Sequence, residues 1–218
     1  MSENPSKSIS RRRFLRAGCL SLAGLGAIAC SGAGLVAALR PDPPAVDLPS
    51  RTFGNSSAGK VLIAYASATG STAEIAVAIG EILGKRGFAA DVHPVQKEPT
   101  IQHAQAVIVG SAVHGGNWMP EAIDWLQDNE AALSRLPVAL VTVHFFNRGD
   151  DESSRTRRQA YADEAHLLVP QAEMAFFAGR FDQRTTATSL PDWLAHLTPT
   201  MDLRDWDKIR DWAQRVSI

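Results

Sequence analysis

From Lys60 onward, short and wholly apolar runs alternate with amphipathic segments, and this alternation limits the possible folds more than any other feature of the chain. Val61-Leu62-Ile63-Ala64-Tyr65-Ala66 has no polar position to turn toward water. A strand with one wet face would alternate; a run that does not suits a strand covered on both faces. Residues 71–86 place Ile75, Ala78, Ile79, Ile82 and Leu83 at helical spacings and stop at Gly87. Further strands are expected over 88–95, 106–110, 137–145 and 173–178. Helices are expected over 120–133, opened by Pro120, over 154–168, and after Asp205, a good cap for the stripe Trp206, Ile209, Trp212, Ala213 and Val216. Five apolar strands separated by helices give an α/β fold, a doubly wound parallel sheet with helices on both faces. The stretch 181–203 follows no clear pattern.

In such sheets a ligand binds beyond the carboxyl ends of the strands, where the strand order reverses. The first strand runs into Ser67-Ala68-Thr69-Gly70-Ser71-Thr72 and then directly into a helix. Four hydroxyls and one glycine thus lie where backbone N–H groups and the positive helix end would face an anion. The loop lacks the Gly-Lys-Ser/Thr of a nucleoside triphosphate site, so it suits a terminal phosphate monoester. A plain Ser/Thr cap and turn is the simpler reading of the same residues; the position after a buried first strand favours the phosphate.

The charge distribution narrows the partners. Residues 52–218 hold 15 Lys/Arg against 20 Asp/Glu, with no long basic stripe, which argues against nucleic acid. Cys19 and Cys30 are the only cysteines, and the six histidines are scattered without metal-ligand spacing. No metal site and no cysteine nucleophile is therefore expected in the body, and redox chemistry there would need an organic cofactor.

The first 39 residues read as an address. Ser10-Arg11-Arg12-Arg13-Phe14-Leu15-Arg16 has the paired arginines, Phe-Leu and further base of a twin-arginine export signal, and an uncharged Ala/Gly/Leu-rich stretch follows from Ala17 to Leu39. Ala27-Ile28-Ala29 offers small residues to a signal peptidase, and the same residues before Cys30 make a weak lipid-attachment box. Left uncleaved, the 23 residues from Ala17 to Leu39 are long enough to span a bilayer core of roughly 30 Å. Anchoring, by lipid or helix, is favoured over release because apolar sequence continues past Cys30. Residues 40–59, with Pro41, Pro43, Pro44 and Pro49 and then Gly54-Asn55-Ser56-Ser57, would be a linker to a domain over 60–218.

Lys60–Ala76 as a whole resembles the opening of the flavodoxin family. Val109-Gly110-Ser111-Ala112-Val113-His114-Gly115-Gly116-Asn117-Trp118 is similar to the second flavin loop of the branch that includes menaquinone-dependent protoporphyrinogen dehydrogenase, and Arg204-Asp205-Trp206-Asp207-Lys208-Ile209 is similar to that branch's C-terminus. The resemblance implies a flavodoxin-like five-stranded sheet in the order 2-1-3-4-5 and a bound flavin mononucleotide (FMN). Ser67, Thr69, Gly70, Ser71 and Thr72 would hold the FMN phosphate, with Ala68 giving only its amide. Ser111, Ala112, Val113, His114, Gly115, Gly116, Asn117 and Trp118 would line one edge or face of the ring, the glycines allowing close approach. His144, Phe145, Phe146 and Asn147 would form the other wall. Trp118 and Phe146 are candidates for stacking or for packing; His114 and His144 are loop residues or proton donors; Asn147 could bond the polar edge of the flavin.

No dedicated catalytic side chain is expected, since the flavin carries the chemistry. The family resemblance and the export signal together imply an exported electron-transfer flavoprotein, loaded with FMN before it crosses the membrane by the twin-arginine machinery and facing outward, with a redox partner protein or a quinone. A quinone-linked flavin dehydrogenase resembling protoporphyrinogen dehydrogenase is the enzyme alternative, although the stretch 184–203 is shorter than that enzyme's. A flavin-free binding domain of the same fold is the third reading.

Overall fold

The computed structural model describes residues 46–181 and 200–218. The chain divides into Met1–Pro41 and a compact unit, Asp42–Ile218. The export segment therefore lies outside the described residues. Among those residues, no helix is long and apolar enough to cross a membrane, and no cluster of His, Cys, Asp or Glu is placed to hold a metal ion.

The strands are β1 (Arg51–Phe53), β2 (Gly59–Ala66), β3 (Phe88–Pro94), β4 (Ala106–His114), β5 (Asn117–Trp118), β6 (Val138–His144), β7 (Glu173–Ala178), β8 (Arg180–Phe181) and β9 (Met201–Asp202). The helices are α1 (Ser71–Lys85), α2 (Pro120–Leu133), α3 (Glu152–Ala160), α4 (Asp163–Leu168) and α5 (Trp206–Arg215). β3, β2, β4, β6 and β7 lie side by side in parallel, the expected 2-1-3-4-5 order. The fold is flavodoxin-like.

Burial explains the missing alternation. Val61, Ile63 and Tyr65 of β2 point into one core with Ile75, Ile79 and Leu83 of α1 and Ile209 and Ala213 of α5. Leu62, Ala64 and Ala66 point into the other with Trp125, Leu126 and Leu133 of α2 and Ala165 of α4. Both faces of β2 are dry, so every position must be apolar, and each fully buried Leu, Ile or Val contributes about 1.5–3 kcal/mol. Gly80 lets α1 sit close to the sheet: a Cβ there would lie 2.7 Å from Val92 Cγ2 and 2.9 Å from the Phe53 ring.

Two elements differ from the sequence reading. Arg51–Phe53, assigned there to the linker, forms β1, antiparallel to β3 with Arg51 opposite Val92. Three residues, of which only Phe53 is partly buried, are too short a run to register as a period. The helix expected over 154–168 is two: α3 ends at Ala160 and α4 begins at Asp163. The break lets Ala162 and Ala165 reach the core while all of α3 stays out of it. Asp205 caps α5 as expected, accepting from the Lys208 amide at 2.9 Å. Trp206 and Trp212, expected as core, are half-buried against it; Trp212 donates to Glu173 at 2.8 Å.

Candidate functional site

The register brings the candidate residues to one end of the sheet. Ala66 stands beside Ser111, Ser111 beside Thr142, and His144 beside Ala178. The loops after β2, β4 and β6 therefore open side by side at the carboxyl end, where β3 and β4 leave β2 in opposite directions.

The first loop is built around α1. Gly70 takes a left-handed conformation at the N-cap, with φ of 86°, and offers no side-chain cap to the helix. Its amide donates to Ser67 Oγ at 3.0 Å, which curls the loop, and its carbonyl accepts from Glu74 at 3.0 Å. A helix so begun leaves first-turn amides without helical acceptors. Ser71, Thr72 and Ala73 are buried, and Thr72 Oγ1 is enclosed with no hydrogen-bond partner among the described residues. A buried hydroxyl without a partner costs about 1–3 kcal/mol. Uncapped amides, a positive helix end and an orphaned hydroxyl thus fall within the same first turn of α1.

The segment before the sheet reaches this loop. Tyr65 donates to the Pro49 carbonyl at 2.7 Å, and a Cβ on Gly70 would lie 3.1 Å from Val46 Cγ1. Between Val46, Pro49 and Arg51 on one side and Thr69, Gly70 and Glu74 on the other lies a cavity of about 480 Å³. Glu74, in the first turn of α1, pairs with Arg180 at 3.1 Å and with Arg204. Arg204 also pairs with Asp202 at 2.6 Å and lies over the Trp206 ring at 4.5 Å. The C-terminal Arg-Asp-Trp stretch thus holds the loop's helix.

The second loop is a hairpin. β4 runs to His114 and β5 returns, with Val113 opposite Trp118 and His114 opposite Asn117. Gly115 and Gly116, φ 61° and 88°, make the two-residue turn that needs left-handed residues at both positions. A Cβ on either would meet nothing within 4 Å, so the turn requires these glycines and close approach does not. The Ser111 hydroxyl is already engaged: it donates to the Ala112 carbonyl at 2.9 Å and accepts from the Met119 amide at 3.0 Å. Trp118 is 3% exposed, packs in the α2 core and donates to Thr142 Oγ1. Its ring is packing, which leaves Phe146, 71% exposed, as the aromatic offered at this end. His114 and Asn117 are exposed; Ala112 and Val113 are half-buried.

The third loop is held by residues the sequence did not single out. Arg158 of α3 donates to the carbonyls of Asn147 and Gly149, both at 2.8 Å, and Asn147, left-handed at φ 59°, donates to the Tyr161 hydroxyl. Asn147's amide is therefore engaged with the protein. Phe145 packs edge-on to Phe146 at 5.3 Å and against Phe181 at 5.4 Å. His144 is buried with Nδ1 on the Phe146 carbonyl at 2.8 Å. Burial above all pushes its pKa below the ordinary imidazole value, and Arg158, Lys208 and Arg148 push the same way against the Phe146 bond.

The family model described as the flavodoxin domain matches residues 62–188, more than half of the chain and all three loops. The chain belongs to the flavodoxin domain family. Among solved structures, this flavodoxin domain is similar to oxidised flavodoxin 1 from Bacillus cereus, at 13% identity over 71% of this chain and 94% of that one, with a TM-score of 0.48. It is also similar to rubredoxin oxygen:oxidoreductase from Desulfovibrio gigas, at 17% identity over 72% of this chain, with a TM-score of 0.46. The match spans only 35% of that longer protein. A flavo di-iron protein from Thermotoga maritima, an H90A mutant, gives 16% identity over 75% of this chain and 36% of that one, TM-score 0.47. A search of curated proteins gave no match.

Proposed function

We propose that this flavodoxin domain binds FMN, with the phosphate in loop 67–72, and passes electrons at the outer face of a membrane. The observation that carries the proposal is the start of α1, an uncapped and buried helix N-terminus with the Thr72 hydroxyl left without a partner. A phosphate monoester would accept from the orphaned amides and from Thr72, so the residues fit the group. When bound, FMN supplies the redox chemistry of the site. The chain's own residues would hold and shield it. Ser71 and Thr72 would bind phosphate, Phe146 would cover the ring, and the loop braced by Arg158 would fix the wall beside it. His144, held toward its neutral form, would add no positive charge next to the ring.

The setting rests on the N-terminal residues. Arg11 and Arg12 with Phe14-Leu15 support twin-arginine export, and the 23 uncharged residues from Ala17 to Leu39 support anchoring. Arg11→Lys with Arg12→Lys should leave the protein unexported in a fractionation assay; export at the wild-type level would remove this part of the proposal. The similarity of residues 109–118 and 204–209 to the protoporphyrinogen dehydrogenase branch supports a quinone-linked dehydrogenase as the second reading.

The visible spectrum of the full-length protein tests the cofactor. A flavin band, or its appearance on adding FMN, is expected, and absence of both would sink both redox readings and leave the flavin-free binding domain. Thr69→Ala with Ser71→Ala should weaken FMN binding while leaving the far-ultraviolet circular dichroism unchanged. With flavin present, protoporphyrinogen oxidation with a menaquinone analogue separates dehydrogenase from carrier.

A further inference from the structure

The last strand of the parallel sheet, β7, has a strand partner on one side only among the described residues. An unpaired edge is a row of backbone donors and acceptors that templates another strand unless something blunts it. Along this edge runs a groove of about 320 Å³, floored by residues 174–178. Its walls carry Arg148 and Arg158 from the β6 side and Lys208 and Arg215 from α5, against a single lining acid, Asp150. The domain as a whole is acidic, with 20 acids to 15 bases over residues 52–218, so this concentration of cations runs against its composition. Arg158 is engaged with loop carbonyls and Arg215 Nε with the Asp211 carbonyl, whereas Arg148 and Lys208 form no ion pair with the described residues. His144 also lines the groove, and its pKa is lowered first by burial and then by the charges of Arg158, Lys208 and Arg148.

We propose that the outer edge of β7 receives an extended acidic segment of a partner protein, which adds as a strand while its carboxylates meet Arg148, Lys208 and Arg215. Strand addition supplies the backbone hydrogen bonds, and the charges select the partner. A small anion would use the cations and leave the strand edge idle. An apolar strand would use the edge and leave the cations idle. Only an extended acidic segment uses both. β7 is six residues long, about 20 Å at the rise of a strand, so a segment of about six residues matches it. The groove includes His144, so its occupant would lie against the wall of the proposed flavin site.

The test does not depend on flavin and is done on full-length protein both with and without added FMN. A six-residue peptide alternating Glu and Val is titrated calorimetrically, beside its Lys-Val counterpart and a form N-methylated at alternate residues. The acidic peptide should bind, and its affinity should fall roughly tenfold between about 50 mM and about 300 mM salt. Arg148→Glu with Lys208→Glu should weaken it by at least roughly tenfold, with circular dichroism unchanged. Neither the Lys-Val nor the N-methylated peptide should bind comparably. Equal binding of the N-methylated form, displacement by an equal concentration of citrate, indifference to the charge reversals, or no binding at millimolar peptide would each overturn the proposal.

Discussion

The indole N–H of Trp118 donates to the hydroxyl of Thr142 over 2.9 Å inside the protein, tying the β4–β5 hairpin to the strand beside it. Both residues are essentially inaccessible to water. Losing one partner strands the other, at about 1–3 kcal/mol. Thr142→Val should therefore destabilise the fold by that amount in urea unfolding, and the loss in the double variant with Trp118→Phe should be smaller than the sum of the two single losses. Simple addition of the two losses would mean that the bond contributes nothing.

Thr72 offers the opposite case, a buried hydroxyl with no partner to lose. Thr72→Val removes an unsatisfied polar atom at nearly constant volume, so the flavin-free protein should be as stable as wild type or up to about 1 kcal/mol more stable. FMN affinity should fall by roughly tenfold or more. Titration calorimetry and thermal unfolding read the two effects separately, and a stability loss with unchanged affinity would contradict the assignment.

Tyr65 predicts an alkaline limit. Burial, helped by Asp47 and opposed by Arg51, pushes its hydroxyl from 10.0 up to about 12. The folded state thus holds the proton more tightly than the unfolded chain. The stability this gives is complete below pH 10 and is lost as pH rises toward 12. Tyr65→Phe should lower stability at neutral pH, because Pro49 loses its donor, and should flatten the decline in urea midpoint across that window. An equally steep decline in the variant would assign it to other groups.

Gly84 sets two effects against each other. Alanine in a helix interior is favoured over glycine by about 1 kcal/mol. A Cβ at Gly84, however, would lie 2.9 Å from the Gly54 amide nitrogen and 2.9 Å from Phe53 Cβ. Backbone cannot yield cheaply, and overpacking costs about 1–3 kcal/mol. Gly84→Ala should therefore be net destabilising by up to about 2 kcal/mol in thermal unfolding, with loss of hydrogen-exchange protection concentrated in residues 51–53.

The parallel sheet was legible because strands dry on both faces leave no polar residue in the run, as in Val61–Ala66; its order was implied by the resemblance to flavodoxins. The candidate site was sought by the rule that ligands gather beyond strand ends, and loop 67–72 lies at that end of the sheet. What the sequence hid depends on distant partners. Ser111 and Trp118 look available until Met119, Ala112 and Thr142 are placed beside them. Arg158 and Tyr161 carry no local sign that they brace Asn147. The groove beside β7 draws its cations from three segments that only the fold brings together.

β1 also governs how the domain answers a mechanical load. Because β1 runs antiparallel to β3, the chain ahead of Arg51 leaves at the end of the sheet that bears the loops. Tension applied through the N-terminus would act first on three residue pairs and on the Tyr65–Pro49 bond, before the five parallel strands bear any of it. Val46, seated against Gly70, would be drawn off with them. A tug on the leading chain would thus uncover the start of α1 while the sheet stayed whole, making the loop's accessibility sensitive to force.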